Sequence, residues 1–188
     1  VDRPGPDWFS QARPYFERHL LPLADRDLHC LQLGVYLGDA SLWLMEHLPK
    51  AQLTDVDTWE GSDETEHDEL DWAGVETYYD QVTWDYARRI RKFVGTTETF
   101  FDYLEFGLFD FIYVDADHRA PEVLTDAVRS WRHLKVGGIL AFDDYTWQAH
   151  SGILLDAPKV GIDAFCATFL DRLEVMETGA QVWVRKTR

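Results

Sequence analysis

The chain is poor in cationic residues. Its 18 Lys and Arg stand against 34 Asp and Glu, a formal net charge of −16 over 188 residues. No general field attracts phosphate backbones or anionic lipid, so neither a nucleic-acid partner nor a membrane surface is expected. Long apolar runs are also missing: stretches such as Phe111 to Val114 and Gly138 to Phe142 fall far below the roughly 18 residues a spanning helix needs. Cysteine is scarce. Cys30 in a strand-like run and Cys166 in a helix-like run make neither a disulfide framework nor a metal cluster, and both read as small buried hydrophobes. The opening Val-Asp-Arg-Pro-Gly-Pro has no initiator Met and no apolar signal core. It reads as a processed, excised or trimmed start of a cytoplasmic protein. No internal repeat or low-complexity segment stands out. The rest of the composition, 46% hydrophobic and 28% charged, is that of a folded globular domain over 1–188, with a decorating insert at most.

Apolar periodicity organises that domain, because a strand buried on both faces shows as a short continuous run and a covering helix as a 3.6-residue repeat. Trp8, Phe9, Ala12, Tyr15 and Phe16 make a helical stripe within an N-terminal segment, 1–27, with Pro14 at a kink or a new first turn. Strands are predicted at Leu28 to Leu33, Leu53 to Val56, Arg91 to Val94, Phe109 to Val114 and Ile139 to Phe142. Helices are predicted at Leu42 to Leu48, at Val75 to Ile90, and from Pro121 with Val123, Leu124, Ala127, Val128, Trp131 and Leu134 on one face. Gly137-Gly138 is expected to turn the chain into the fifth strand. A last helix presents Ile162, Phe165, Cys166, Phe169 and Leu170, and Leu173 to Met176 with Gln181 to Val184 flank Thr178-Gly179 as a terminal hairpin. Residues 60–77, rich in Asp and Glu around Trp72, form an acidic lid or insert. Such alternation predicts an α/β, doubly wound sandwich with a mostly parallel sheet closing on an antiparallel hairpin. Ligands of such sheets bind outside the carboxyl ends of the strands.

The strand ends carry the chemistry. After the first strand, Gly34-Val35-Tyr36-Leu37-Gly38 lets backbone approach a ligand ahead of a helix N-terminus. Its Gly-x-x-x-Gly spacing is not the dinucleotide fingerprint. Asp57 closes the second strand about twenty residues on, where an acid can grip a ribose diol. Strands four and five run into Asp115-Ala116-Asp117-His118 and Asp143-Asp144. Carboxylates gathered at one edge repel unless a cation compensates, which points to a hard divalent ion such as Mg²⁺ at Asp115, Asp143 and Asp144. His118 is placed to act as a general base.

Taken together, Leu33 to Ser41, Asp57 to Ser62, Phe109 to His118 and Leu134 to Tyr145 resemble the class I S-adenosylmethionine-dependent methyltransferases, and within them the macrocin-type sugar and small-molecule O-methyltransferases. The resemblance spans roughly 28–186 and implies a seven-stranded Rossmann-like sheet with an antiparallel last strand. It implies that Gly34, Tyr36, Gly38 and Ser41 wrap the methionine part of the cofactor, Gln32 binds near its cationic side, Asp57 holds the ribose, Thr96 and Thr97 border the adenine, and Asp115 serves both cofactor and metal sides. It further implies transfer of a methyl group to a small hydroxylated acceptor, a sugar or glycosylated metabolite, with Asp115, Asp143 and Asp144 on Mg²⁺ and His118 as base. A homodimer is compatible with it. One departure stands out: the family commonly has a carboxylate where this chain has Gln32. A catalytically silent cofactor-binding or interaction domain of the same fold is the alternative.

Overall fold

A computed structural model describes residues 2–61, 70–104 and 108–188. The strands are β1 (His29–Leu33), β2 (Gln52–Asp57), β3 (Ile90–Val94), β4 (Phe109–Val114), β5 (Leu134–Phe142), β6 (Leu173–Thr178) and β7 (Val182–Lys186). They form one sheet of order β3-β2-β1-β4-β5-β7-β6. Strands β1 to β5 pair in parallel, and β7 runs antiparallel to both of its neighbours, β5 and β6. The helices are α1 (Arg13–Leu20), α2 (Asp39–His47), α3 (Trp72–Thr83), α4 (Thr97–Tyr103), α5 (Ala120–His133) and α6 (Lys159–Thr168). This is the doubly wound, Rossmann-like sheet that the sequence pattern predicts. None of these helices is long and apolar enough to cross a membrane.

Alternating side chains divide the core between the two faces of the sheet. Leu31, Leu33, Val56, Ile112, Val114, Leu140 and Phe142 point to the face covered by α4, α5 and α6, where Phe100, Trp131 and Phe165 meet them. Cys30, Leu53, Phe111, Tyr113, Ala141 and Trp183 point to the other face, covered by α1 and α2 through Phe16, Trp43 and Leu44. Phe16 sits edge-on to Trp43, Phe111, Tyr113 and Trp183. Phe9, Ala12 and Phe16 of the N-terminal stripe are thus core, Tyr15 packs against it, and Trp8 is exposed and stacked on Tyr36, with Pro14 in the first turn of α1. A third apolar group, Val35, Leu37, Trp59, Val75 and Tyr79, seats α3 beside the turn after β1. Helix α5 starts with Pro121 and Glu122 in its first turn and ends with Arg132 and His133 in its last, matching the helix dipole at both ends.

Several boundaries differ from expectation. Helix α3 covers Trp72–Thr83 and Ile90 opens β3, because Trp84–Tyr86 tightens into a 3₁₀ turn that frees the chain to re-enter the sheet. Helix α4 was not anticipated; Phe100 and Phe101 bury in it, but its short polar start hides the period. Leu134 belongs to β5, and Gly137-Gly138 lies inside that strand at a register shift, with Gly137 at φ +84°. A glycine in the left-handed region is what an inserted bulge residue requires. Leu170 falls beyond α6 and is 70% exposed. Of the acidic stretch 60–77, residues 62–69 lie outside the described residues, while Trp72 and Glu76 belong to α3.

Candidate active site

A cleft of about 1210 Å³ opens outside the carboxyl ends of the parallel strands, across the point where strand order reverses between β1 and β4. At one end is the turn after β1. Gly34 has φ +82°, and a Cβ there would lie 1.8 Å from the Asp115 carbonyl oxygen, so this turn and the end of β4 touch only because residue 34 lacks a side chain. The turn is braced by one carboxylate: Asp57 Oδ2 accepts from the amides of Val35 (2.6 Å) and Tyr36 (2.9 Å), and Oδ1 from that of Trp59 (2.8 Å). The Trp59 indole returns a bond to the Tyr36 carbonyl at 3.0 Å. These bonds hold Tyr36 in the left-handed region, at φ +54°, which a non-glycine residue seldom adopts.

Gln32, Gly34, Tyr36, Asp57, Thr96, Thr97 and Asp115 all line the cleft. Gly38 and Ser41 stand behind it. Gly38 is the left-handed N-cap of α2, and a Cβ there would meet the Tyr79 ring at 2.7 Å. Ser41 is fully buried and donates to Gln32 Oε1 at 3.2 Å, while Gln32 Nε2 donates to the Gly34 carbonyl at 2.9 Å. Thr96 caps α4 through the amide of Thr99, and Thr97 donates to Asp126 Oδ1 at 2.7 Å. Asp126, which lines the cleft from α5, escaped the sequence reading. Burial pushes its carboxyl up to about 6. An acid beside Val123 and Ala127 on a core-facing helix was the signal available.

At the other end, ligand atoms of Asp115, His118 and Asp144 lie within 4.8 Å of one another. His118 Nε2 is 2.9 Å from Asp144 Oδ2, and its ring lies against Trp147 at 4.7 Å. Asp144 sits at φ +55°. Asp143 is not part of the trio. Its Oδ2 accepts from the Tyr113 hydroxyl and its Oδ1 from the Asp144 amide at 2.8 Å. Behind it Gln181 Nε2 donates to the Tyr113 oxygen (3.2 Å), and the Trp183 indole donates to Gln181 Oε1 (2.8 Å). The turn explains the division: both residues lie past the last residue of β5, and the left-handed backbone at Asp144 aims its carboxylate away from the direction Asp143 takes. Burial, then the charges of Asp143 and Asp144, hold the Asp115 carboxyl well above its usual range. Burial, with Asp144 beside it, pushes Asp143 up to about 6. Two carboxylates in mutual reach, with one acid resisting ionisation, fit a hard divalent cation by the chemistry of their oxygen donors, and leave the imidazole beside them for proton transfer.

Fold and cleft define a class: a Rossmann-like sheet with a carboxylate-braced glycine turn at one end of its ligand edge and an acidic, His-containing cluster at the other. Residues 31–145 match the family described as "Methyltransferase domain". The chain belongs to that family. No curated protein matches it. Among solved structures it is similar to the MycE methyltransferase of the mycinamycin biosynthetic pathway in complex with Mg and S-adenosylhomocysteine, at 18% identity and a TM-score of 0.65, over 98% of this chain and 52% of that one. It is also similar to the O-methyltransferase from Bacillus cereus in complex with S-adenosylhomocysteine (17%, TM-score 0.67, 96% and 83% of the two chains). A third likeness is to TomG from Streptomyces achromogenes, involved in tomaymycin synthesis, in complex with S-adenosylmethionine (18%, TM-score 0.65, 93% and 80%). These likenesses establish the fold as that of S-adenosylmethionine-dependent methyltransferases. The chain spans about half the length of MycE.

Proposed function

We propose that this chain transfers a methyl group from S-adenosylmethionine to a hydroxyl of a small molecule, a sugar or glycosylated metabolite. The observation that carries this reading is the meeting, in one cleft, of the Asp57-braced turn with the cluster of Asp115, His118 and Asp144. MycE, similar in fold, has been seen with Mg, S-adenosylhomocysteine and mycinamycin VI together, which supports a small-molecule acceptor.

Methyl transfer is an in-line displacement, so the residues must align two reactants and make the oxygen nucleophilic. The turn at Gly34 to Tyr36 presents backbone to the donor, Asp57 faces its ribose, and Thr96 and Thr97 flank its adenine. The S–C bond breaks with its electron pair left on sulfur, the O–C bond forms, and the acceptor's proton goes to the His118 imidazole. Its Nε2 lies against the Asp144 carboxylate and its ring against Trp147. Asp115 and Asp144 are the residues that would hold Mg²⁺, with Asp143 fixed behind them by Tyr113. When bound, such an ion lowers the pKa of an acceptor hydroxyl and fixes its position. Two free cysteines, one buried, suit a reducing compartment, in keeping with a cytoplasmic enzyme.

The test is calorimetric titration of S-adenosylhomocysteine into the chain with and without Mg²⁺, followed by methyl transfer to hydroxylated acceptors. One-to-one binding, strengthened by Mg²⁺, is expected. Absence of binding in both buffers would refute the reading in favour of a silent domain.

A further inference from the structure

The acid cluster stands on a row of buried polar groups that the reaction itself does not touch. Trp183, on β7, is completely buried, and its indole N–H can only donate. It donates to Gln181 Oε1 at 2.8 Å, which fixes how the buried Gln181 amide is turned: the oxygen faces the indole and Nε2 faces Tyr113. Nε2 donates to the Tyr113 oxygen at 3.2 Å, and the Tyr113 hydroxyl passes its own proton on to Asp143 Oδ2. Every link points the same way, from β7 toward the end of β5. A hydroxyl that accepts a hydrogen bond is a stronger donor for it.

The last link enters the backbone. Asp143 is held at Oδ2 by Tyr113, and its Oδ1 accepts from the Asp144 amide at 2.8 Å. Asp144 has φ +55°, a conformation that a non-glycine residue keeps only where its surroundings impose it. Three bonds do so. Besides the bond to Asp143, the Asp144 carbonyl accepts from the Trp147 amide at 2.9 Å, and the Tyr145 amide donates to the Ala180 carbonyl at 2.8 Å. Ala180 and Gln181 lie together in the turn between β6 and β7. The antiparallel hairpin thus supports the loop that aims the Asp144 carboxylate at His118.

We propose that Tyr113 and Gln181 are positioning residues for the cation end of the cleft: through Asp143 they hold the left-handed backbone at Asp144, and so the direction in which its carboxylate meets a divalent cation. The proposal rests on the reading of Asp115 and Asp144 as cation holders. The charge of Asp115 also bears on the Tyr113 hydroxyl, so the test separates the route through Asp143 from a direct effect on Asp115.

The experiment is calorimetric titration of Mg²⁺ into the full chain, for wild type, Tyr113→Phe, Gln181→Met, Asp143→Ala, the double variant Tyr113→Phe with Asp143→Ala, and Leu53→Ala. Tyr113→Phe should weaken Mg²⁺ binding about 10–100-fold, the range for outer partners of metal ligands. Gln181→Met should weaken it by less, because the Tyr113 hydroxyl remains as a poorer donor. Adding Tyr113→Phe to Asp143→Ala should change the affinity by less than about twofold, since the group it acts through is gone. Leu53→Ala opens a cavity near the amino end of β2, away from the cleft edge, and should also stay within about twofold of wild type. Unchanged Mg²⁺ affinity in Tyr113→Phe or in Gln181→Met would overturn the proposal; should Tyr113→Phe not fold, Gln181→Met carries the same comparison. A full Tyr113→Phe loss on the Asp143→Ala background would place its action on Asp115 and overturn the route. An equal loss in Leu53→Ala would reduce the effect to stability and overturn it as well. Absence of Mg²⁺ binding by wild type would refute the cation reading itself, and the positioning with it, before any variant is compared.

Discussion

Asp57 and Asp115 close neighbouring parts of one sheet edge, yet their surroundings make them opposite instruments. Asp57 is met by backbone amides of Val35, Tyr36 and Trp59. Asp115 is met by the charges of Asp143 and Asp144. A carboxylate wrapped in N–H donors braces a turn, whereas one facing other acids calls for a proton or a cation. The cleft is therefore built from one preorganised end and one end that a ligand completes.

The largest effect expected is at the second end. Asp115→Ala removes one of the proposed cation holders and should lower Mg²⁺ affinity more than about 100-fold, since even outer partners of metal ligands are worth about 10–100-fold. Calorimetry reads the loss, and tight Mg²⁺ uptake by the variant would remove Asp115 from the metal site.

At the braced end, Asp57→Ala leaves several amides unaccepted. Urea unfolding should show a loss of about 2–4 kcal/mol, because hydrogen bonds to a charged group contribute about 1.5–3 kcal/mol each and water replaces part of them. Nucleoside affinity should fall at least about tenfold while Mg²⁺ affinity holds. If both ligands weaken equally, the two ends are not independent.

A third test compares the ends through pH. In the ion-free protein, Asp55 is raised to about 7 and Asp126 and Asp143 to about 6, from a usual value of 3.8. Between pH 5.5 and 8 the folded chain therefore holds protons that the unfolded chain has released, so stability falls as pH rises. Asp117 and Glu177 are lowered, so their contributions are lost only at more acid pH. Thermal unfolding should give a higher Tm at pH 5.5 than at pH 8, and the reverse order would contradict these assignments. The smallest change expected is for Arg3→Ala, which breaks an ion pair of 2.6 Å with Asp39 at the start of α2. At a partly exposed position this is worth less than about 1 kcal/mol by urea unfolding.

Much of this was legible in residue order. Glycines at 34 and 38, aspartates at strand ends, and short apolar runs alternating with helical stripes carry local signals, and these, with the family resemblance for Gln32, Thr96 and Thr97, pointed to residues that line the cleft: Gln32, Tyr36, Asp57, Thr96, Thr97, Asp115 and Asp144. Other features depend on orientation. Gly38 and Ser41 sit behind the wall because α2 turns them toward Tyr79 and Gln32. Asp143, adjacent to Asp144, was indistinguishable from it until the turn after β5, left-handed at Asp144, directed one toward Tyr113 and the other toward His118. Asp126 looks like any helix acid until Thr97 and the cleft are seen beside it. Asp55 reads as one more polar residue in a strand.

Amino-acid order by itself determined the layers, the parallel core with its antiparallel close, and the edge at which chemistry gathers, because apolar period and backbone freedom are local properties. Only the tertiary structure decided which acid meets amides, which meets acids, and which is buried across from Gln32. Those outcomes depend on strand register and on what packs from above, and a carboxylate's charge state is set by the groups that surround it.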